Sequence, residues 1–527
     1  VKDNVMTDDQ NDKKPWYEGV TPYMWLVLLI ASLGWVFDIF EGQIYVATMK
    51  DIMGDLLPKG TLDGTRDFFN NIALAFFLVG GALGGVLFGI VSDKIGRTRT
   101  MILTILMYSL FTCLTAFAQN WWQVIILRFL VAMGTGGEWA VASAMVAEVF
   151  PKRARASSLG IFHASSVLGT LLAVLVGATV VPHYGWRWAF VLGALPAVLT
   201  LWIRWKLREP ERWKEARDRA AADTSQKPGR ILDLFAPDLV RNTVVGLLLA
   251  TIGLATFWGV HIYGRELLRM IVEREYLADA QPEIQRAVGE TRRAVDEVLR
   301  TGTGPIEPAQ LDRQLQTLRP ETQDVLAEIL GDREGPILRR DVRSLPDMVG
   351  KKLRGRVLDG LSKSQTASLK RWEMLGMFLV TAGGGLGLLS FGPICERIGR
   401  RGTFLLFHVG GLASGLIVFL GMSNASAAML CVALPPFGYL TLGMHAGYAI
   451  YFPELFPTRL RGTGAGFCFN GGRFLAASIL ILRGWMRNDQ GLGLSLESTA
   501  SILSLLFLLG ILILLAAPET KGRDLPT

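Results

Sequence analysis

Charge is scarce in this sequence. Aspartate, glutamate, lysine and arginine make up 19% of the 527 residues, while 50% are hydrophobic. An average soluble domain carries about 25% charge, so the composition, with a mean hydropathy of +0.35, excludes an ordinary soluble domain and points to the membrane. Cysteine is rarer still. Cys113, Cys395, Cys431 and Cys468 lie in or beside apolar runs, with no C-x-x-C spacing, which leaves neither a disulfide framework nor a cysteine metal site to expect. No metal and no cofactor other than a coupling proton is expected. The polar start, "VKDNVMTDDQNDKKP", lacks the charged and apolar regions of a cleavable signal. A net charge of +8 could suggest nucleic acid, but much of the Lys and Arg sits in short loops between apolar runs, so no nucleic-acid partner is expected. No catalytic constellation for an enzyme is present.

Long apolar runs are what the chain does have. A spanning helix needs about 20 mostly apolar residues. About twelve such runs occur, near 23–47, 70–91, 99–118, 122–147, 158–181, 187–205, 241–263, 372–394, 402–422, 426–451, 462–482 and 497–517. None alternates like a barrel strand, so the expected fold class is an all-α membrane protein of twelve transmembrane helices. Basic residues mark alternate loops: Lys94, Arg97 and Arg99; Lys152, Arg153 and Arg155; Arg397, Arg400 and Arg401; Arg459 and Arg461. The loops 119–121, 182–186 and 423–425 carry none. That asymmetry places the basic side and both termini in the cytoplasm of an inner or plasma membrane protein.

The expected divisions are a cytoplasmic tail over 1–22, a six-helix half over 23–205, a cytoplasmic linker over 206–240, a second half over 241–263 and 372–517, and a cytoplasmic tail over 518–527. Residues 264–371 form an outward-facing insert without His or Cys. In it, "IQRAVGETRRAVDEVL" places Ile284, Val288, Val295 and Leu299 on one helical face, and Val325, Ile329 and Leu330 repeat the pattern, so a small helical cap is expected.

The two halves repeat. "EVFPKRAR" from Glu148 to Arg155 returns as "ELFPTRLR" from Glu454 to Arg461, and "GIVSDKIGRTR" from Gly89 returns as "GPICERIGRRG" from Gly392. The offsets are 306 and 303 residues, which is duplication of half the protein. Transporters built from such repeats hold substrate between the halves near the bilayer midplane.

The motifs resemble those of the major facilitator superfamily. "GIVSDKIGR" is similar to its loop 2–3 signature, "RFLVAMGTGGEW" to its fourth-helix pattern, "REPERW" to the string after helix six, and "PETKGRDL" to the sugar-porter-like terminus. "GWVFDIFEG", "GGEW" and "NGGRFLAA" resemble most the aromatic-acid and sialate/lactate-type metabolite:proton symporters. The glutamine pair of sugar porters is missing from "TFWGVHIYG" on span seven.

Asp38 and Glu41 lie inside span one, where a carboxylate is expensive and a functional candidate. By a rise of about 1.5 Å per residue, Asp38 is roughly 24 Å from Pro22 and Arg128 roughly 9 Å into span four from the opposite side. Their similar depth makes a pair possible, and the resemblance implies that an acid–arginine pair there couples protons to substrate, so Asp38, Glu41 and Arg128 are the proton-coupling candidates. A permanent structural ion pair is the competing reading. Arg473, midway along span eleven, needs an anion from protein or substrate. Glu138, His163, Trp258 and His445 complete the substrate-binding candidates, each with a packing role as its alternative. At the 306-residue offset, Arg128 and Glu138 fall on Leu434 and Met444, so proton coupling belongs to the first half. Gly89, Asp93, Gly96, Arg97, Glu148 and Arg155, with Glu396, Arg400, Glu454 and Arg461, form cytoplasmic gate motifs able to make and lose interhelical ion pairs.

The resulting expectation is a monomeric, proton-coupled symporter for a small organic anion, a monocarboxylate or aromatic acid, working within the lipid bilayer. A sugar or polyol symporter, a drug exporter and a non-transporting sensor remain open.

Overall fold

The computed structural model describes residues 17–151, 154, 158, 161–193, 195–209, 231–300, 304–331, 336–422, 424–456, 461–488 and 491–521. Helix α1 (Pro22–Leu56) starts where the sequence supplies a stop for coil: Thr21 accepts a hydrogen bond from the Met24 N–H, and Pro22 sits in the first turn, where its missing N–H costs nothing. Then come α2 (Asp63–Ile95), α3 (Arg97–Thr115), α4 (Trp121–Val149), α5 (Ser166–Thr179), α6 (Val181–Tyr184), α7 (Trp186–Leu192) and α8 (Pro196–Lys206). After the linker come α9 (Val240–Gly259) and five helices that include the insert: α10 (Glu266–Leu277), α11 (Gln281–Arg300), α12 (Pro308–Leu315), α13 (Pro320–Leu330) and α14 (Arg339–Asp359). The chain closes with α15 (Lys363–Ile398), α16 (Arg400–Leu416), α17 (Ala427–Leu442), α18 (His445–Leu455), α19 (Arg461–Arg487), α20 (Leu496–Ser504) and α21 (Leu506–Ala516).

Nine helical stretches among the described residues are long and apolar enough to cross a membrane. Their outward faces are apolar too, with Leu168, Val432 and Leu515 mostly exposed, as lipid-facing side chains are and water-facing ones are not. Two boundaries differ from the periodicity reading. The seventh run ends as α-helix at Gly259 and continues as a short 3-10 turn over His261–Tyr263 before α10 begins. The sixth is split between α7 and α8.

The repeat is visible in helix packing. A Cβ added to Gly84 of α2 would lie 2.0 Å from the Met133 carbonyl oxygen of α4, and one on Gly438 of α17 would lie 1.9 Å from the Val380 oxygen of α15. Only glycine permits such backbone contact, and it occurs in corresponding helix pairs of the two halves.

Four apolar cores follow. One, containing Phe40, Leu74, Leu254, Met377 and Leu480, draws on both halves and lies towards the insert end. At the motif end each half keeps its own: Val27, Met101, Val146 and Phe162 in the first, Phe391, Phe404, Tyr451 and Phe507 in the second. The insert has a fourth core around Val295, Leu311, Val325 and Val342. The predicted stripe is shifted there: Ile284 and Val295 are buried with Ala287, Thr291 and Val298, while Val288 and Leu299 are half-buried.

Candidate functional site

A cavity of about 180 Å3 lies between the halves, and α1, α2, α4 and α5 face it across from α9, α15 and α19. Most of its wall is aromatic or aliphatic, with Trp35, Phe77, Phe257, Trp258 and Phe469 as the rings. Its charges are few: Asp38 from α1, Arg473 from α19, and Arg265 from the turn before α10. The imidazoles of His163, His261 and His445 also line it, as do the polar side chains of Gln43, Thr135 and Thr381. An apolar chamber with a few convergent polar groups is the ordinary form of a small-molecule site.

Asp38 is 5% exposed. It lines the cavity together with Thr135 of α4 and Arg473 of α19. Arg473 reaches from the second half towards the first: it lies over the Phe469 ring at 5.0 Å, and its Nη1 would be 3.3 Å from a Cβ on Gly81 of α2. The acid and the base of the cavity therefore come from opposite halves.

This corrects the expected pairing of Asp38 with Arg128. Arg128 Nη2 donates to the Glu41 carbonyl oxygen at 3.0 Å, and the guanidinium packs over Phe77 at 4.8 Å and Tyr45 at 5.2 Å. The depth arithmetic was right to within one turn. It could not tell which face of α1 meets α4, and the geometry puts Arg128 beside Glu41, behind the wall that Phe77 presents to the cavity. Glu41 turns away from the cavity as well, since a Cβ on Gly193 would fall 2.7 Å from its Oε1. Glu138 is also outside the lining. Its Oε2 accepts from the Thr104 hydroxyl at 2.9 Å, and Gly34 leaves room for Oε1. Of the three proton-coupling candidates, Asp38 alone lines the cavity.

The other candidates converge. His163 stacks on Trp35 at 5.7 Å. His445 meets Phe257 edge-on at 5.4 Å and shares its Nδ1 with the Leu442 carbonyl at 3.1 Å. Trp258 meets Phe77 across the two halves at 6.0 Å. His261 is held by the Thr441 hydroxyl at 2.6 Å and stacks on Phe257. Sequence reasoning missed Arg265, because it follows the predicted end of the span. It also missed Gln43, Thr135 and Phe469, which carry no signal apart from their helix faces. Leu434 and Met444, where Arg128 and Glu138 would repeat, are fully buried in apolar cores.

At the motif end the repeated strings close on carboxylates. Gly96 (φ 111°) and Gly399 (φ 84°) take backbone conformations that side chains rarely adopt. Each turns the chain into a helix whose first N–H groups need acceptors. Glu209 accepts from the N–H groups of Arg97 at 2.7 Å and Thr98 at 3.1 Å; Glu519 accepts from those of Arg400 at 3.0 Å and Arg401 at 3.1 Å. Arg400 grips Glu454 with two hydrogen bonds, of 3.1 and 2.8 Å, and the Thr520 hydroxyl adds a third at 2.5 Å. Arg97 Nη1 donates to Ser92 at 2.6 Å. Burial opposes the charge of Glu519, but backbone N–H groups of Lys521, Arg400, Arg401 and Thr520 hold its carboxyl below the ordinary value. Arg155 lies outside the described residues, and so do the side chains of Asp93, Glu148, Glu396 and Arg461; Gly89 lies on α2.

Comparisons with known proteins agree with this architecture. The family model described as Major Facilitator Superfamily matches residues 21–269, and the one described as Sugar (and other) transporter matches residues 388–527. The chain is 24% identical over 98% of its length to the gallate transporter of Pseudomonas putida, covering 97% of that protein. It is 23% identical to the cis,cis-muconate transport protein of Acinetobacter baylyi, over 80% of this chain and 79% of that one. Among solved structures, a D-xylose-proton symporter superposes with a TM-score of 0.61 at 14% identity, covering 95% of this chain and all of that one; the likeness is one of fold.

Proposed function

Because the chain belongs to the major facilitator superfamily, we propose that it moves a small organic anion, a monocarboxylate or aromatic acid, in symport with protons by alternating access. It is a membrane transporter and not an enzyme, as are the families and relatives it matches. The observation that carries the finer reading is the cavity itself, where an aromatic wall surrounds the carboxylate of Asp38 from one half and the guanidinium groups of Arg473 and Arg265 from the other. An aromatic carboxylate suits both surfaces, its ring on the apolar wall and its charge on a cation. Relatives described as gallate and muconate transporters support the same class.

Nine spans are joined in this reading by α4, by α7 with α8, and by α19, which makes twelve in two halves. The motif end, with both termini, faces the cytoplasm of the inner membrane, and the insert faces outward. With Asp38 ionised, Arg473 has an internal counter-charge. Protonation of Asp38 frees Arg473 for the substrate anion, and the neutralised, loaded carrier crosses without exposing a net charge to the bilayer. Arg128, held by the Glu41 carbonyl oxygen behind the wall, stays outside this exchange. No cofactor beyond the proton is needed, and one chain forms the whole path.

The test is uptake of labelled benzoate, gallate, lactate and xylose into liposomes under an imposed acid-outside gradient. Gradient-driven accumulation of at least one acid, and none of xylose, is the expected result. Accumulation of no acid would sink the proposal.

A further inference from the structure

Arg265 is a cavity-lining cation with a second life outside the cavity. It is 2% exposed and stands between the 3-10 turn and α10. Its Nε donates to the Ile262 carbonyl at 3.1 Å, and its Nη1 lies 2.9 Å from Glu373 Oε1. Glu373, 1% exposed, is a hub: its other oxygen is 3.3 Å from Arg269 and 3.4 Å from Lys370. Lys370 crosses to the first half, where its ammonium is 2.6 Å from Asp51 and donates to the Ala47 carbonyl, both on α1. Beside it Lys50 of α1 meets Glu266 of α10 at 3.0 Å. These contacts hold the halves together at the insert end.

Resting on the transport reading above, we propose that Arg265 is the second carboxylate-receiving residue of the cavity and that it links occupancy to this latch. The physics is an exchange of partners. Glu373 has two other cations, so it can release Arg265 without becoming an uncompensated buried charge. A substrate carboxylate in the cavity offers the guanidinium the same charge-assisted contact. Once Arg265 turns inward, Glu373 draws more strongly on Lys370, the one ammonium it shares with Asp51 and Ala47. The bond between halves weakens as the bond within the second half strengthens, and the insert end is released. Binding thus acts on the gate through differential contacts in its two states, as a ligand-driven shift must.

The experiment uses the full chain in liposomes, its four cysteines replaced by alanine and spin labels placed at Lys59 and Lys363, both exposed at the insert end. The distance distribution is recorded against benzoate concentration. Wild type is expected to show one short distance without benzoate and a longer one with it. Arg265→Gln leaves Glu373 to Lys370 as bound ligand would, so it is expected to show the longer distance without benzoate, and Arg265→Lys, which keeps the charge, the short one. Glu373→Gln removes the group that draws Lys370 off Asp51, so it is expected to keep the short distance at benzoate concentrations that lengthen it in wild type. The double variant R265Q/E373Q should stay short as well, which a fold defect in Arg265→Gln would not explain. Calorimetric benzoate affinity should fall at least tenfold in Arg265→Gln and less in Arg265→Lys. A short distance in unliganded Arg265→Gln, a wild-type benzoate response in Glu373→Gln, or an unchanged benzoate affinity in Arg265→Gln overturns the proposal. If wild type binds no acid while Arg265→Gln still opens, the acid-transport reading and the carboxylate role of Arg265 fall together, and the latch alone stands.

Discussion

Among the described residues, the polar ties at the end of the bundle that carries the repeated motifs run within each half, and those at the end that carries the insert run between the halves. Arg400 and Glu454 both belong to the second half, as do Glu519 and the helix it caps, while Glu209 caps a helix of its own half. At the opposite end the ion pairs Lys50–Glu266, Lys370–Asp51 and Arg487–Asp67 join first-half to second-half residues, and a single apolar core spans both. The insert adds its own ties: Lys352 donates to the Gly60 carbonyl of the first half at 2.7 Å, and Lys351 to Gly493 of the second at 3.5 Å. In the proposed cycle, contacts within a half survive a rocking of the halves and contacts between them do not, so these ties close the insert end. The asymmetry is what alternating access requires of one of its two states.

The largest expected effect falls on the cavity between these ends. Arg473→Met removes the cation that both Asp38 and a substrate anion would use. A charge-assisted hydrogen bond is worth roughly 1.5–3 kcal/mol, so equilibrium binding of a transported acid should weaken by about tenfold to a hundredfold. Calorimetry on the purified protein reads this directly.

A smaller effect is expected from a pair of neutralisations. Asp67→Asn breaks a tie between halves and should shift the distribution between closed and open insert ends by about tenfold, or about 1.4 kcal/mol. Glu454→Gln breaks a tie inside one half and should leave that distribution in place while lowering stability. Distance measurements across the insert end separate them. Equal shifts in both variants would mean that the two ends do not differ as described.

The smallest effect concerns the helix caps. Glu519→Gln, and Glu209→Gln as its repeat partner, should each cost about 1 kcal/mol, seen as a small fall in Tm in detergent. For Glu519 the sign of the pH dependence follows from its lowered carboxyl. A group held below its unfolded value stabilises the fold at pH above that value, ordinarily 4.5, and the contribution fades as pH falls through the folded value. The gap in Tm between wild type and Glu519→Gln should therefore be full at pH 7 and close on acidification below about 4.5.

What could be read in the sequence was whatever the duplication wrote twice or the bilayer made costly. Gly96 and Gly399, with the strings around them, announced the same corner of two halves. Asp38, Arg473, His163, Trp258 and His445 were found because polar and aromatic groups inside apolar runs need a reason. The Asp38–Arg128 pairing failed because depth along a helix says nothing of azimuth, and three residues along α1 turn Glu41 to a different neighbour. Glu209 and Glu519 lay inside quoted motifs, but their acceptor role depends on a chain return from more than a hundred residues away. The insert-end latch was hidden for a related reason. Glu373, Lys370 and Arg265 have no repeat partners to flag them, and they sit at span boundaries, where a charge is ordinary.

In the proposed cycle Asp38 carries the coupling proton while Arg473 holds the anion, and Asp38→Asn separates coupling from carriage. Asparagine resembles the protonated acid, so the loaded variant can still reorient but cannot release a proton. With a transported acid in liposomes, gradient-driven uptake is expected to be lost in Asp38→Asn while exchange of labelled for unlabelled acid across the membrane persists near the wild-type rate. Gradient-driven accumulation by the variant at the wild-type level would contradict it.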